Sequence, residues 1–217
     1  RVNLDWKEKN NIPTSFIAKC PAADQSSRDT ARSLHLYEIE TSFYKYLSKK
    51  CSARVPELYF SDFNPESDDG ILLLEDMHPA KQIPQMEGCT STEVSKILEE
   101  AAALHKSYWN NENLLSHSWL TYGVSEERKQ FVADLLPAVY PEWKNRYQGR
   151  ISKNIFEMGD ALIANYEKYS EVREGPMTLV QGDLRLDNIL FYDYDNRAIL
   201  LDWQTAAVGL PLNDVAY

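Results

Sequence analysis

Nothing in these 217 residues suggests a secreted or membrane-spanning protein. The apolar runs are far shorter than the roughly 20 residues that cross a bilayer, and no basic segment followed by an apolar stretch opens the chain. Cysteine is scarce, because Cys20, Cys51 and Cys89 are the only three and lack C-x-x-C spacing. These absences predict a cytoplasmic protein with free thiols and no membrane partner.

Basic residues are also in the minority. The chain has 23 Lys and Arg against 33 Asp and Glu, a formal net charge of -10. An acidic chain repels phosphate backbones, so no nucleic-acid partner is expected. Hydrophobic residues make up 43% of the chain, which is typical of a packed globular protein rather than a disordered one.

The first third of the chain has the pattern of a small antiparallel sheet with one helix. Alternating apolar residues over 2–6 and 15–20, joined by a polar turn at 7–11, predict a β-hairpin. Apolar positions at spacings of three and four predict a helix over 30–49. Two further strands are predicted at 55–60 and 71–74, separated by a turn-rich segment.

The rest of the chain is predicted to be mainly helical. A capping box, Thr90 to Glu93, begins the first helix, and a second helix from Ser125 is expected to be interrupted by Pro137 and Pro141. The third helix is predicted over 152–169, with four residues facing inward: Ile155, Met158, Leu162 and Tyr166. Short strands follow at 178–180, 189–192 and 198–201. The sequence thus predicts an α+β protein with a small sheet lobe, 1–77, and a larger helical lobe, 78–217.

The residues with the most chemical information follow the last strands. A polar loop after Val180 holds Asp183 and Asn188, and the hairpin behind it ends at Asp202. Side chains just past strand ends lie at the rim of a sheet, so these three can converge. Carboxylate and amide oxygens suit Mg²⁺, and Asp183 could accept a proton from an attacking hydroxyl. Asp and Asn are common in loops, so it is the combination with the closing Asp202 that indicates a site.

These motifs resemble those of the aminoglycoside-phosphotransferase-like kinases, a branch of the protein-kinase-like fold. The runs Q-G-D-L-R-L-D-N-I-L-F at 181–191, D-W-Q at 202–204 and G-x-x-x-x-D-V-A-Y at 209–217 are most similar to ecdysteroid-kinase-like and choline-kinase-like members. The resemblance implies a two-lobed α+β fold, with ATP and Mg²⁺ as cofactors. It also implies transfer of the γ-phosphate to a hydroxyl of a small molecule.

In the helical lobe, the resemblance assigns roles to five residues. Asp183 corresponds to the catalytic base, and Asn188 and Asp202 correspond to the Mg²⁺ ligands. Arg185 lies where a cation would stabilise charge near the γ-phosphate, although an ordinary exposed arginine is equally compatible with the sequence. Asp214 matches an aspartate that braces the catalytic loop.

In the sheet lobe, the resemblance assigns the nucleotide-binding residues. Lys19 would hold the α- and β-phosphates of ATP and pair with Glu40, and the backbone of Glu75 and Met77 would bind adenine. Each residue also has an ordinary reading. Lys19 could be a charge that protects a sheet edge, Glu40 could lie on a solvated helix face, and residues 73–77 could be a plain strand end.

The sequence departs from the family pattern at two places. Gln181 stands where relatives usually have histidine, which leaves open a catalytically impaired nucleotide-binding module as the alternative function. The Gly-rich phosphate loop and the last helices would lie before residue 1 and after residue 217, so the chain is expected to be an internal piece of a longer kinase. A protein kinase is disfavoured because H-R-D, D-F-G and A-P-E are absent. His105 is expected to be a hydrogen-bonded histidine of the core or its boundary. Tyr108, Trp109, Trp119 and Tyr122 could line an acceptor pocket or a cation–π cage for a quaternary amine, but core packing is favoured.

Overall fold

The structure, a computed structural model, describes residues 1–7, 12–171 and 175–216. A four-stranded antiparallel sheet comes first, in the spatial order β1-β2-β4-β3. Its strands are β1 (Val2–Asn3), β2 (Ser15–Lys19), β3 (Leu58–Asn64) and β4 (Asp69–Glu75). The predicted first hairpin is present but β1 is short, and residues 8–11 of its turn lie outside the described residues.

The helix predicted over 30–49 is in fact two helices with irregular ends. The chain begins helix α1 earlier than expected because the Asp24 side chain accepts a hydrogen bond from the Ser27 N–H, at 2.8 Å. At His35 the backbone φ is +56°, which breaks the helix. The observed segments are α1 (Gln25–Ser33), α2 (Leu36–Ser42), a π-helical turn (Phe43–Leu47) and a 3₁₀ turn (Ser48–Lys50).

Helices dominate the rest of the chain, as predicted. The capping box is present at Thr90, whose hydroxyl accepts from the Glu93 N–H while the Glu93 carboxylate accepts from the Thr90 N–H. Two 3₁₀ turns, Glu112–Ser116 and Tyr122–Val124, flank α4. The helices are α3 (Ser91–Tyr108), α4 (Ser118–Thr121), α5 (Glu126–Tyr147), α6 (Lys153–Ala164), α7 (Tyr166–Glu171) and α8 (Leu212–Ala216).

Helix α5 corrects the prediction that its two prolines would interrupt it. The helix is continuous through Pro137 and Pro141. Each proline removes one backbone hydrogen bond, to Ala133 and to Pro137 respectively. Both prolines are exposed, so water can solvate the freed carbonyls and the helix continues.

Helix α6 corrects the predicted inward face. The single helix expected over 152–169 ends at Ala164, and Ile155, Met158 and Leu162 are 45%, 68% and 42% exposed. The helix packs on α5 through another face. There the Tyr140 hydroxyl donates to the Phe156 carbonyl at 2.8 Å. A stripe at helical spacing therefore indicated the helix but not which side is covered.

Two small sheets hold the loops that carry the predicted chemistry. One has the order β5-β7-β8, and the other pairs β6 with β9. Neither β5, which lies shortly after residue 77, nor β9 was predicted. The strands are β5 (Lys81–Gln82), β6 (Thr178–Val180), β7 (Ile189–Phe191), β8 (Ala198–Leu200) and β9 (Ala207–Gly209).

A continuous apolar core joins the sheet to the helices. Trp203 is fully buried and stacks on Phe43 of the π-helical turn, with ring centroids 3.7 Å apart. Tyr108 and Trp119 are buried as predicted, whereas Trp109 is half exposed. No helix within the described ranges combines the length and the apolar character needed to cross a membrane.

Candidate active site

A cleft of about 520 Å³ separates the four-stranded sheet from the helical part of the molecule. Six of the eight site residues predicted from the sequence line it. These are Lys19, Glu40, Glu75, Met77, Asn188 and Asp202. The other two, Asp183 and Arg185, belong to the loop that leads to Asn188. The structure therefore brings together residues that are up to 183 positions apart in the sequence.

An ion pair between Lys19 and Glu40 joins the sheet to the following helix. The Lys19 Nζ lies 2.5 Å from a Glu40 oxygen and 3.6 Å from Asp202 Oδ1. The Glu40 side chain is only 4% exposed, so this glutamate is not a solvated face residue. Burial raises the pKa of Glu40 above its ordinary value, while the Lys19 charge acts in the opposite direction. Glu40 thus holds Lys19 at the cleft, and the Lys19 charge in turn stabilises the buried Glu40 carboxylate.

Asn188 and Asp202 present oxygen atoms that fit a magnesium ion. Asp202 Oδ1 is buried and has no hydrogen-bond partner among the described residues, although Lys19 Nζ lies 3.6 Å away, so this anionic oxygen can serve as a metal ligand. Asn188 is buried, and its amide nitrogen is engaged by Asp183, which leaves its carbonyl oxygen as the remaining ligating atom. The described residues contain no group of three or more His, Cys, Asp or Glu side chains that could hold a metal ion. A two-ligand site is what Mg²⁺ uses when phosphates and water complete its shell.

Asp183 has one carboxylate oxygen fixed and one free. Oδ2 accepts from Asn188 Nδ2 at 2.8 Å and from Arg185 Nε at 3.2 Å. Oδ1 has no hydrogen-bond partner among the described residues, and the side chain is 25% exposed. This arrangement orients the free oxygen for a proton from outside the protein.

Arg185 is already held by two carboxylates of its own loop. Besides its bond to Asp183, its guanidinium lies 3.6 Å from Asp187 Oδ2. The side chain is 43% exposed. Arg185 therefore stands beside the candidate base as a fixed cation rather than as a free surface arginine.

Gln181 connects the two loops of the site. Its Nε2 donates to the carbonyls of Leu201 and Asp202, at 3.0 and 2.7 Å, and its Oε1 accepts from the Asp183 N–H at 2.6 Å. The residue is fully buried. A glutamine amide has two donors and an acceptor, so it can make all three bonds at once. The side chain of Gln181, the residue that departs from the family pattern, therefore makes hydrogen bonds to both loops through its donor and its acceptor atoms.

Gly182 is required between Gln181 and Asp183. Its φ is +82°, and a Cβ placed there would lie 2.5 Å from the carbonyl oxygen of Thr205. Only glycine combines this backbone conformation with so close an approach.

Asp214 braces the start of the same loop, as the resemblance implied. Its carboxylate accepts from the backbone N–H groups of Gln181 and Gly182, at 3.0 and 2.8 Å. It also lies 2.9 Å from Nε2 of His105, which is buried and hydrogen-bonded as predicted. The fold therefore holds the backbone of the loop from helices α3 and α8.

The end of β4 forms the wall of the cleft opposite this loop. The Met77 carbonyl already accepts from the Ala80 N–H at 2.8 Å, whereas the Met77 N–H has no hydrogen-bond partner among the described residues. Asp76 pairs with Arg1 at 2.6 Å and accepts from the Ser15 hydroxyl. These contacts hold the end of β4 in place as one wall of the cleft.

The sequence did not reveal two glutamines that contact the polar loop. Gln82 Nε2 donates to Asp187, and Gln85 Oε1 accepts from the Leu186 N–H at 2.9 Å. Both residues lie in a segment without a motif, about 100 positions earlier in the chain. Their composition carried no signal, because polar loop residues are ordinarily solvated.

A family model describes the whole of this architecture. The model of the ecdysteroid kinase-like family matches residues 1–217. The chain belongs to the ecdysteroid kinase-like family. This confirms the relationship predicted from the motifs at 181–191 and 202–204.

Solved structures establish the fold of this ecdysteroid kinase-like chain. It is similar to APH(2")-IIa in its gentamicin complex, with a TM-score of 0.54 and 18% identity, covering 92% of this chain and 62% of that one. It is also similar to the ADP-bound aminoglycoside phosphotransferase APH(2'')-Ib, with a TM-score of 0.50, 18% identity and the same coverages. The fold is therefore the predicted two-lobed α+β kinase-like fold.

A curated human protein matches part of the chain. Acyl-CoA dehydrogenase family member 11 is 32% identical over 79 residues, which are 35% of this chain and 10% of that protein. The chain thus spans about a tenth of this relative and less than two thirds of the similar structures.

Proposed function

We propose that the chain carries the catalytic machinery of an ATP- and Mg²⁺-dependent kinase that phosphorylates a hydroxyl group of a small molecule. The observation that carries the proposal is the single cleft that holds the Lys19–Glu40 pair, Asn188 and Asp202 next to Asp183. Its adenine side would be the strand end at Glu75 and Met77, and the boundary between the lobes would fall after residue 77. Family membership supports this reading.

The free oxygen of Asp183 indicates which role each side chain of the site would have in the reaction. As the acceptor oxygen bonds to the γ-phosphorus, the bond from phosphorus to the bridging oxygen of ADP breaks, and the hydroxyl proton passes to Asp183 Oδ1. Arg185, held beside the base, would offset negative charge on the transferred group. Lys19 would hold the other phosphates. Asn188 and Asp202 would hold Mg²⁺, which when bound neutralises phosphate charge.

The acceptor class is proposed at the level of a small-molecule alcohol, with ecdysteroids, choline-like amino alcohols and aminoglycosides as candidates. A cytoplasmic location, and no nucleic-acid or membrane partner, also stay predictions. The alternative, a nucleotide-binding module without turnover, was suggested by Gln181. In the structure Gln181 supports both loops of the site, which favours an active enzyme.

The test is ADP release from Mg-ATP by the full protein that contains this chain, against a panel of these alcohols. We expect Asp183→Asn to lower kcat by about 10²- to 10⁴-fold, the contribution of a general base. Stabilisation by Mg-ADP in a thermal-shift assay should persist. Asp29→Asn, an exposed aspartate outside the cleft, is the control and should match wild type.

Two results would count against the proposal. Equal turnover by wild type and Asp183→Asn would remove Asp183 as the base. Binding of Mg-ADP without turnover of any acceptor by the wild-type protein would favour the nucleotide-binding module.

A further inference from the structure

We propose that Gln82 and Gln85, just after the predicted adenine-binding strand, are positioning residues for the catalytic loop 183–188. The inference rests on the proposed function, because it concerns the same site. Neither residue belongs to a motif of the sequence. Each makes hydrogen bonds of a defined direction to a different part of that loop.

Gln82 fixes Asp187 by donating. Its Nε2 lies 2.8 Å from the Asp187 carbonyl and 3.3 Å from Asp187 Oδ1. The Gln85 N–H donates to the same Oδ1, at 3.4 Å. With Oδ1 held in this way, the other oxygen, Oδ2, faces the Arg185 guanidinium at 3.6 Å.

Gln85 fixes the loop by accepting. Its Oε1 takes the N–H of Leu186, at 2.9 Å, one residue before Asp187. The loop is thus held at a backbone donor by one glutamine and at a carboxylate by the other. Arg185, between these points and Asp183, transmits the position to the base, because its Nε donates to Asp183 Oδ2.

The segment that carries both glutamines is itself anchored to the cleft. β5 pairs with β7, placing Gln82 opposite Leu190. The turn before β5 is closed by the bond from the Ala80 N–H to the Met77 carbonyl. Ala80, Met77 and Asp187 all line the cleft. The segment therefore links the adenine side of the cleft to the candidate base.

The opposite bond directions give a test that packing alone would not reproduce. Gln85→Glu keeps the acceptor for Leu186, whereas Gln85→Met removes it at similar size. Gln82→Glu replaces the donor with a carboxylate facing Asp187, and Gln82→Met only removes the donor. Both positions are exposed, so these variants should fold. Gln25→Glu and Gln25→Met are the controls, because Gln25 donates to Asp29 on α1 in the same way.

We expect glutamate to replace Gln85 but not Gln82. In ADP release from Mg-ATP by the full protein, with water as acceptor, Gln85→Met should lower kcat by roughly 5-fold and Gln85→Glu by less than about 2-fold. The kcat of Gln82→Glu should fall by on the order of 10-fold, further than that of Gln82→Met, because the new carboxylate faces the carboxylate of Asp187. KM for Mg-ATP should stay within about 2-fold, since bonds to the nucleotide are untouched.

A second readout does not depend on turnover. Amide hydrogen exchange at Leu186 should accelerate in Gln85→Met by roughly 5-fold and stay near wild type in Gln85→Glu. If wild type releases no ADP with water or with any alcohol of the panel, but exchange follows this pattern, the proposed function fails and the positioning contact stands. Equal behaviour of the Glu and Met variants at both positions, or values matching the Gln25 variants, would overturn the inference.

Discussion

At the scale of single residues, the site is built from charged groups that constrain one another. Glu40 is buried and its pKa is raised by that burial, against the effect of Lys19. Asp183 uses one carboxylate oxygen for internal bonds, and the other has no hydrogen-bond partner in the part of the chain that the structure describes. Gln181 satisfies two carbonyls and one N–H without carrying charge. The buried Glu40 carboxylate needs its partner Lys19, because an unpaired buried charge is costly.

Removing Lys19 should therefore make stability depend on pH in a defined direction. In Lys19→Met the Glu40 carboxylate loses its cation, so its folded pKa rises further above the unfolded value. The folded state then binds a proton that the unfolded state does not, and the variant should gain stability as pH falls through that folded pKa. Lys19→Arg, which keeps the charge, should show the wild-type dependence.

Urea unfolding at a series of pH values from about 5 to about 8 checks this prediction. The difference in unfolding free energy between wild type and Lys19→Met should narrow towards the acid end. A difference that is constant or widens at low pH would show that Glu40 does not depend on Lys19.

At the scale of elements, the local sequence predicted the secondary structure of each segment better than it predicted which face of the segment packs against a neighbour. The capping box at Thr90 was recognised because its bonds lie within four residues. The continuity of α5 was missed because its prolines are solvated, and the exposed stripe of α6 was missed because periodicity does not say which face has a neighbour. The candidate site was largely predictable because Asp183, Asn188 and Asp202 follow a recognisable motif. Gln82 and Gln85 were not, because their contacts are tertiary.

The capping box offers a test at this scale. Thr90→Ala removes the hydroxyl that accepts the Glu93 N–H, and we expect the unfolding free energy to fall by about 1 kcal/mol. Thr90→Ser keeps the acceptor and is the control. Urea unfolding measures both variants. Equal values for the alanine and serine variants would show that the cap contributes little to α3.

At the scale of the molecule, the two halves are joined away from the cleft by a buried glutamate. Glu100 on α3 is 4% exposed, and its carboxylate accepts from the N–H of Arg54, in the segment before β3, at 2.6 Å. It also binds Arg197, which precedes β8, at 2.6 and 2.8 Å. Arg197 reaches further to the Ser52 carbonyl. One carboxylate thus connects three segments that are distant in sequence.

Arg197→Met should therefore weaken the whole molecule rather than one loop. Glu100 would stay buried without its cation, and we expect a loss of about 2 kcal/mol, below the usual cost of breaking a buried pair because Arg197 is half exposed. Lys144→Met is the control, because its partner Asp160 is half exposed and the change should stay close to wild type. Urea unfolding followed by tryptophan fluorescence compares the two. If Arg197→Met were as stable as Lys144→Met, the pair between Glu100 and Arg197 would contribute little to the junction, and the lobes would be held by their other contacts, among them the bond from the Leu200 N–H to the Arg54 carbonyl.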